Sequence, residues 1–586
     1  MGESMTRLIA WKSQDVVAAT FVGMLGLVIA WLYYTGLYCS DDTRYLVGAI
    51  RIALGEDIST TSLAERRVAL LIPAAVMYAL TRSIDLAIGI YALFYVGLGL
   101  VAYALARRFF DVRGSVLAAL LAAVQPALFF YSGALMPDIA SASFLAVALY
   151  FLCRWIPAEA KESDGRLGFA AGAGASIAVA FTLKESSAIV VLIPAALVAV
   201  GLVRKRVAPS LSAAAAMLGG FAAVLMFEML LFRFAAGHWY SSVASLLAPH
   251  DFGSYVEIQG RAPLARLKTL RVVLGSHVAI LFLLAGVALV QLLWQCLRRK
   301  LSYQEAAVWL TIAGFWAWPA FYFTFGTASL TEYAPPVMQQ RYYALCIVPA
   351  ALLVARLIQS LIRVDGRERA RLAGGLVAGA LLLFFLSAPY SERSQRGMMY
   401  GAPAKEAFIF AMRDMQRRFP DVPVVDTDSG WTTDLNRCRA LLLSSQGDSD
   451  GRLFEAIRTR EDLRGSFGYA DLAGLDAPYL IVGHGPLLSV REPKDWAREL
   501  EQRIESGDLT ASKLGLYVGP SYRDLAGRRW MPRELAVRDF SAKAPSGESL
   551  SIATDGDQAY GRDARDQTVE VYLISEAADN LPATAD

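Results

Sequence analysis

Eleven apolar segments, each about twenty residues long, occupy most of the chain before residue 390, and no other feature constrains the fold as strongly. A helix of roughly 20 apolar residues can cross a bilayer because it pairs its own backbone groups, which are too costly to leave unpaired in hydrocarbon. The predicted spans are 16–37, 84–106, 114–131, 136–153, 167–183, 187–203, 209–235, 273–297, 304–325, 341–362 and 372–389. With 55% hydrophobic residues and a mean hydropathy of +0.41, the chain is predicted to be an α-helical polytopic membrane protein with about 11 transmembrane helices.

The basic residues between these spans predict the orientation. Residues 66–82 are also apolar, but they are short and flanked by arginines, and we interpret them as an interfacial helix outside the bilayer. With that assignment the cationic connectors all fall on one side, which the positive-inside pattern identifies as the cytoplasm. These connectors contain Arg7 and Lys12, Arg107, Arg108 and Arg113, Arg154, Lys161 and Arg166, Arg204–Arg206, Arg298–Lys300, and Arg363–Arg371. The predicted location is the cytoplasmic (inner) membrane, with the N-terminus inside and the tail after residue 390 outside.

The first apolar segment is interpreted as a retained anchor rather than a cleaved signal. Leu37-Tyr38-Cys39 resembles a lipoprotein cleavage site, but Tyr38 stands where a small residue is required. The segment is also longer than the apolar region of a secretory signal, which has about 7–15 residues. The five cysteines of the chain show neither metal-ligand spacing nor the pattern of a disulfide framework.

After Pro389 the long apolar segments end and the pattern becomes that of a soluble domain. Ala404–Phe419 has the spacing of an amphipathic helix. Short apolar runs predict three buried strands, at 423–426, 479–483 and 569–574. The chain is therefore predicted to contain a transmembrane domain over residues 1–389 and a soluble, extracytoplasmic α/β domain over residues 390–586.

Four polar positions fall at the predicted outer ends of the spans. They are Asp41-Asp42, Asp138, Lys184-Glu185, and Arg341 with Tyr342. Charged groups beside hydrocarbon are expensive and are usually functional or paired. Each position also has a purely structural explanation: a plain loop for the acidic pair, a helix cap for Asp138, a solvated turn for Lys184 and an arginine that snorkels to the headgroups for Arg341. Because all four share one predicted face, we predict that they converge on one cavity.

The order of these motifs resembles that of the GT-C glycosyltransferases. The closest resemblance is to the branch that uses polyprenyl-phosphate sugars, which includes the protein O-mannosyltransferases and the aminoarabinose transferase of lipid A. The motifs are Asp41-Asp42 with Tyr45, Pro137-Asp138 with Phe144 and Leu149-Tyr150, Phe181–Glu185 before Pro194, and Arg341-Tyr342 before Pro349. The resemblance covers residues 10–390 and implies a GT-C-like transmembrane catalytic domain.

This resemblance implies the transfer of a hexosyl or pentosyl group from a lipid-phosphate donor at the outer face, with inversion at the anomeric carbon. In that family the first acidic pair, commonly Asp-Glu, supplies the base that deprotonates the acceptor hydroxyl. Asp41 occupies the position of that base, and Asp42 in place of Glu leaves open which of the two acts. Lys184 and Arg341 are the candidates for binding the donor phosphate, since cations stabilise a departing phosphate. The candidates for the rest of the acceptor or donor site are Asp138, Glu185, Tyr45 and Tyr342.

Three alternatives are weighed against this function. Another enzyme, either an oligosaccharide ligase or an acyltransferase, could share the topology, and a ligase would use a similar cationic site for lipid phosphate without necessarily needing Asp41. A secondary transporter would have charged or broken helices near the midplane and duplicated halves, and the sequence shows neither. A non-catalytic membrane scaffold would need no convergence of acidic and basic residues.

The predicted partners are a polyprenyl-phosphate sugar donor, a lipid, glycan or protein acceptor, and membrane lipids. The net charge of +3 gives no reason to expect a nucleic acid. No cofactor is firmly predicted, and the predicted site contains no metal ligand. A divalent metal is the alternative left open by His238, His250 and Asp251, which lie in the external connector 236–272.

Overall fold

The computed structural model describes residues 13–32, 34, 41–55, 66–129, 131–156, 164–203, 207–244, 262–327, 333, 335–336, 338–362, 368–387, 422, 424–426, 478–484, 502–518 and 568–576. Helices account for most of the described residues before 390. They are α1 (Ser13–Leu32), α2 (Asp41–Leu54), α3 (Val68–Thr81), α4 (Ile84–Gly89), α5 (Ala92–Ala106), α6 (Val112–Ala123), α7 (Pro126–Phe129), α8 (Pro137–Trp155), α9 (Asp164–Leu183), α10 (Leu192–Val203), α11 (Val207–Ala236), α12 (Pro263–Leu297), α13 (Tyr303–Phe325), α14 (Ile347–Ile362) and α15 (Glu368–Leu386). Two 3₁₀ segments interrupt the series, a first at Glu185–Val191 and a second at Gln340–Cys346.

The helices confirm a multi-pass membrane protein. Among the described residues, eight helical stretches are long and apolar enough to cross a membrane by length and composition. They are Ser13–Leu32, Ile84–Ala106, Pro137–Trp155, Glu185–Val203, Leu211–Phe234, His277–Leu297, Tyr303–Phe325 and Gln340–Ile362. The other three predicted spans coincide with shorter apolar helices, Val112–Ala123, Leu167–Leu183 and Gly374–Leu386. The segment interpreted as interfacial forms α3, whose 14 residues extend only about 21 Å.

One predicted span, 114–131, is not a continuous helix. α6 ends at Ala123, and the short helix α7 begins at Pro126. Proline has no backbone N–H, and its ring collides with the carbonyl four residues earlier, so it kinks or breaks a helix. Here the helix breaks before Pro126, whereas α3 and α13 continue through Pro73 and Pro319. At the break, the side-chain amide of the buried Gln125 donates to the carbonyl of Leu121 at 2.9 Å. The prediction of a single helix here is wrong, and the cause is a proline that the sequence displays.

The two 3₁₀ segments each lead into a helix with a proline in its first turn. Pro194 is the third residue of α10, and Pro349 is the third residue of α14. A proline is tolerated there because its missing N–H would have no partner within the helix. Its ring would nevertheless collide with the carbonyl four residues earlier in a continuous α-helix, and the preceding chain winds as the tighter 3₁₀ form instead. Lys184 and Arg341 therefore lie where regular α-helix is interrupted.

Helices α9 and α11 pack with their backbones in direct contact. A Cβ atom on Gly174 would lie 1.9 Å from the carbonyl oxygen of Met217, and one on Gly220 would lie 2.1 Å from that of Ala171. Only glycine fits at these two positions, as at other membrane helix pairs that use small residues. The close packing holds α9 in place, and the last residue of α9 directly precedes Lys184.

The described residues after 390 form a four-stranded sheet. Its strands are β1 (Val424–Asp426), β2 (Tyr479–His484), β3 (Leu509–Val518) and β4 (Thr568–Glu576), in the order β1-β2-β4-β3. β1 is parallel to β2, and the other two pairs are antiparallel. The three strands expected from the sequence are present, whereas the helix expected at Ala404–Phe419 lies outside the described residues.

Strand β3 was not predicted from the sequence. Its register against β4 shifts between Lys513 and Gly515, which marks a β-bulge. A bulge adds one residue to one strand and breaks the period-two alternation of side chains. The apolar residues of β3 therefore change phase in mid-strand, from Leu509 and Ala511 to Leu514 and Leu516, so no continuous alternation indicates a strand.

The chain divides into two compact units. One comprises residues 1–36 and 48–398, and the other comprises residues 37–47 and 399–586. We refer to the first as the membrane unit. The division of the chain into domains at 389/390 stays a prediction.

Candidate functional site

The membrane unit contains a buried ion pair between Asp138 and Lys184. The ammonium group of Lys184 donates to Asp138 Oδ1, and the two residues are 5% and 2% exposed, respectively. Burying two charges is costly, and the cost is offset only when they are paired in good geometry. Within the described part of the chain, the second carboxylate oxygen, Asp138 Oδ2, accepts no hydrogen bond.

Local sequence explains why these two side chains meet. Pro137 is the first residue of α8 and Asp138 the second, so the carboxylate lies at the helix N-terminus, where negative charge is favoured. Lys184 is the one non-helical residue between α9 and the first 3₁₀ segment, and its backbone is extended. The hydroxyl of Ser141, one turn after Asp138, contacts that of Ser187 at 2.5 Å and donates to the carbonyl of Ala180. These contacts join α8 to both sides of Lys184.

Arg341 and Tyr342 complete the same cluster from the second 3₁₀ segment. Arg341 Nε lies 3.9 Å from Asp138 Oδ2 and donates to Gln339 Oε1 at 2.8 Å. The Tyr342 ring stacks under both cations, since Lys184 Nζ is 3.5 Å and the Arg341 guanidinium carbon 5.6 Å from its centroid. Such cation–π contacts contribute on the order of 0.5–2 kcal/mol each, more when desolvated.

Arg67 adds a third cation through Glu185, the neighbour of Lys184. The Arg67 guanidinium binds the Glu185 carboxylate with two hydrogen bonds, of 2.7 Å and 3.3 Å. Bidentate pairs of this kind are stronger and more precisely oriented than single ones. We call Arg67, Asp138, Lys184, Glu185 and Arg341 the cation cluster. It joins three cations and two carboxylates at the ends of helices, an arrangement suited to binding an anion.

Burial lowers the pKa of the Lys184 ammonium to about 8, and the neighbouring Asp138 carboxylate opposes that shift. Lys184 lies between the end of α9 and the start of the first 3₁₀ segment. It is therefore mostly charged at neutral pH but loses its proton far more readily than an exposed lysine.

The acidic pair opens a helix rather than lying in a loop. Asp41 and Asp42 are the first two residues of α2, and Tyr45 follows one turn later. Asp42 is fully buried and Tyr45 is 4% exposed. A helix N-terminus stabilises negative charge in its first turn, so the position suits an ionised carboxylate. These three residues belong to the unit formed by 37–47 and 399–586, whereas the cation cluster lies in the membrane unit.

Of the four positions predicted to converge, the structure therefore brings together Asp138, Lys184 and Arg341. Tyr342 joins them because its ring contacts Lys184. Glu185 follows Lys184 in the chain and binds Arg67. Among the residues that could hold a metal, His250 and Asp251 lie outside the described residues. Within the described ranges, no group of three or more His, Cys, Asp and Glu side chains is placed to hold a metal ion.

Residues 68–232 match the family of dolichyl-phosphate-mannose-protein mannosyltransferases. The matched region contains Asp138, Lys184 and Glu185 of the cation cluster and begins one residue after Arg67. The match covers less than a third of the chain and agrees with the resemblance of the sequence motifs to the GT-C glycosyltransferases.

Two solved structures resemble this chain. ArnT from Cupriavidus metallidurans bound to undecaprenyl phosphate is 15% identical, with a TM-score of 0.48, and the match covers 80% of this chain and 93% of ArnT. The oligosaccharyltransferase AglB from Archaeoglobus fulgidus, in complex with an inhibitory peptide and a dolichol-phosphate, is 12% identical, with a TM-score of 0.49, and the match covers 96% and 89% of the two chains. No curated protein matches the sequence.

Sequence reasoning missed Arg67 as a member of the cation cluster. The signal was present, since Arg66-Arg67 bounds the short apolar segment that forms α3, but it was used only to judge whether that segment spans the membrane. The pairing with Glu185, 118 positions later, depends on tertiary structure and has no local signature.

Proposed function

We propose that this protein is a GT-C glycosyltransferase that transfers one hexosyl or pentosyl group from a polyprenyl-phosphate donor to an acceptor hydroxyl at the extracytoplasmic face, with inversion. The observation that carries the proposal is the convergence of Lys184 and Arg341 on one buried carboxylate, Asp138, next to the bidentate Arg67–Glu185 pair. The family whose pattern residues 68–232 match acts on dolichyl-phosphate-mannose, which supports a lipid-phosphate donor.

The proposed roles follow from the chemistry of each group. Lys184 is a compact point charge, and Arg341 offers a planar fork that matches phosphate oxygens. Both stabilise negative charge that develops on the phosphate as the bond to the sugar breaks. Asp138 orients the two cations, and its Oδ2 oxygen is available to a hydroxyl of the sugar or of the acceptor.

The proposed reaction breaks the bond between the anomeric carbon and the phosphate oxygen and forms a bond from that carbon to the acceptor oxygen. The acceptor proton passes to the carboxylate of Asp41, or of Asp42, and polyprenyl phosphate leaves with the electron pair of the broken bond. The acceptor attacks from the side opposite the phosphate, which inverts the configuration. A carboxylate base of this kind contributes roughly 10²–10⁴ in rate.

The test compares Asp41→Asn, Asp42→Asn and the control Asp85→Asn in purified, reconstituted protein. Asp85 is also a carboxylate in the first turn of a helix, α4, and it is exposed. The assay measures release of polyprenyl phosphate from a panel of polyprenyl-phosphate sugars, with membrane extracts as the source of acceptor. We expect one of the first two variants to lose about 10²–10⁴ in kcat with donor binding intact, and Asp85→Asn to match the wild type.

Full activity in the Asp41→Asn/Asp42→Asn double variant would remove the proposed base. Transfer of an oligosaccharide, but of no single sugar, would favour the ligase-like alternative. The extracytoplasmic location has a separate test: a reporter that is active only in the cytoplasm, fused after Ala402, should give no signal. A strong signal would reverse the proposed orientation.

A further inference from the structure

Arg266, near the start of α12, is fully buried and plays no part in the proposed chemistry. Its guanidinium donates to three backbone carbonyls: to that of Thr324 through Nε, and to those of Phe323 and Pro336 through Nη2, at 3.1 Å and 2.7 Å. An arginine buried this completely is expensive unless its donors are used. These three hydrogen bonds therefore indicate that Arg266 has a specific structural role.

Two of the three acceptors are at the C-terminal end of α13. This helix ends at Phe325, so the carbonyls of Phe323 and Thr324 are among the last four, which have no partner within the helix. A cation is favoured at this end because the helix dipole places negative charge there. Arg266 thus caps α13 from a different helix.

The third acceptor connects this cap to the cation cluster. Pro336 precedes Arg341 by five residues, at the entry to the second 3₁₀ segment. Arg266 therefore ties the start of α12, the end of α13 and the chain that leads into Arg341 at one point.

Side chains of the capped residues reach the same segment. The Thr324 hydroxyl contacts the Tyr343 hydroxyl at 3.0 Å. The Phe323 ring packs against the rings of Tyr342 and Tyr343, with centroid distances of 5.6 Å and 5.9 Å. Tyr342 in turn lies under Lys184. A continuous series of contacts leads from Arg266 to both cations assigned to the donor phosphate.

We propose that Arg266 is a positioning residue that fixes the second 3₁₀ segment, and with it Arg341 and Tyr342, in the geometry that binds a lipid phosphate. This role rests on the proposed function for its effect on the donor. Arg266 acts through Arg341 rather than by contact with the donor. Its effect therefore depends on the presence of Arg341.

A double-mutant cycle tests this dependence. Arg266→Met and Arg341→Ala are measured singly and together by titrating the full-length protein with undecaprenyl phosphate in detergent micelles. We expect Arg266→Met to weaken binding about tenfold in the wild-type background and less than about twofold in the Arg341→Ala background, because coupled residues are not additive. Arg266→Lys, which keeps the charge and part of the donor set, should recover most of the affinity. An equal loss in both backgrounds, or no loss in either, would overturn the proposal.

Arg356→Met is the matched control. Arg356 is a partly buried arginine that ties α14 to the same two helices, through Gln295 of α12 at 2.7 Å and through the ring of Trp309 of α13 at 4.6 Å. Its position is on the order of 20 Å from that of Arg341 along the helix axis. A merely structural loss would lower the thermal stability of both variants and leave lipid-phosphate binding unchanged in both, which would contradict the positioning role.

Hydrogen exchange separates this proposal from the proposed function. In Arg266→Met, amides of 338–346 should exchange at least about tenfold faster, because local opening becomes easier once the three hydrogen bonds are lost, whereas Arg356→Met should leave them unchanged. If the wild type binds no undecaprenyl phosphate, the donor proposal fails and this exchange pattern alone decides the role of Arg266. Should Arg266→Met fail to fold, Arg266→Gln, which removes the charge but keeps one polar group for the buried carbonyls, takes its place in both measurements, with a smaller effect in the same direction. Unchanged exchange in the variant that folds would refute the role.

Discussion

The segments that carry Lys184 and Arg341 share one local plan and differ in how their cations are held. In both, a 3₁₀ segment leads into a helix with proline in its first turn. Lys184 is fixed by a buried ion pair with Asp138, whereas Arg341 lies 3.9 Å from the same carboxylate and is held by Gln339 and the contact of its Nη1 with Met136 Sδ at 3.2 Å. Lys184 is therefore held by a direct ion pair within the protein. Arg341 has a longer contact with the same carboxylate and is the more available of the two cations for a ligand.

The largest expected effect is that of Lys184→Met, which removes the fixed cation. It leaves Asp138 buried without its partner, and breaking a buried pair in this way costs about 3–5 kcal/mol. We expect a large drop in thermal stability and a loss of donor affinity greater than about 100-fold. Adding Asp138→Asn should restore most of the stability, because the unpaired charge is gone, but not the donor affinity. If both variants bind donor like the wild type, Lys184 has only a structural role.

Arg341→Ala should affect donor use without a comparable loss of stability, because Asp138 keeps its ion pair with Lys184. A hydrogen bond to a charged group contributes about 1.5–3 kcal/mol, which corresponds to a loss of roughly 10- to 100-fold in kcat/KM for the donor. The contact exists in the donor complex, so its loss should raise donor KM, and it strengthens as charge develops on the phosphate, so its loss should also lower kcat. Steady-state kinetics combined with a thermal melt checks both parts. A drop in stability as large as that of Lys184→Met would show that the two cations are held alike.

Lys184 and Arg341 both contact the ring of Tyr342. Tyr342→Leu removes the ring under Lys184 and Arg341, and the loss of cation–π contact predicts about a threefold to tenfold weaker donor affinity. Tyr342→Phe is the matched control, because it keeps the ring and removes only the hydroxyl. Equal losses in the two variants would assign the effect to the hydroxyl and not to the ring.

The smallest expected effect is a pH dependence that Lys184 causes and Arg341 does not. Because burial lowers the pKa of Lys184 to about 8, its charged fraction falls above that pH, and the cation needed for phosphate binding disappears. The kcat/KM for the donor should decline about fourfold between pH 7 and pH 8.5. In Lys184→Arg the guanidinium stays charged, so any remaining activity should show no such decline. The same decline in both proteins would assign the titration to another group.

The sequence predicts which residues belong to this site better than it predicts which of them contact one another. Long apolar segments define helix ends, and charged residues at those ends, such as Asp138, Lys184 and Arg341, are conspicuous for that reason. Which of these residues touch depends on helix packing, for example the glycine contacts between α9 and α11, and no local pattern encodes it. Arg67 and Arg266 were missed because their partners lie 118 and 58 positions away.

The same distinction explains two differences in secondary structure. The early end of α6 has a signal in the sequence, since a proline such as Pro126 kinks or breaks a helix. Strand β3 could not, because its bulge at Lys513/Gly515 shifts the alternation of side chains on which a strand prediction depends.

The most direct test of the account is whether the cation cluster binds a lipid phosphate. Wild type, Arg341→Ala, the Asp138→Asn/Lys184→Met double variant and the control Arg356→Met would be titrated with undecaprenyl phosphate in micelles, with binding followed by ³¹P NMR. We expect saturable binding by wild type and Arg356→Met, affinity at least about tenfold weaker in Arg341→Ala, and no measurable binding by the double variant. Equal affinity in all four proteins would contradict the assignment of the cluster to the donor phosphate.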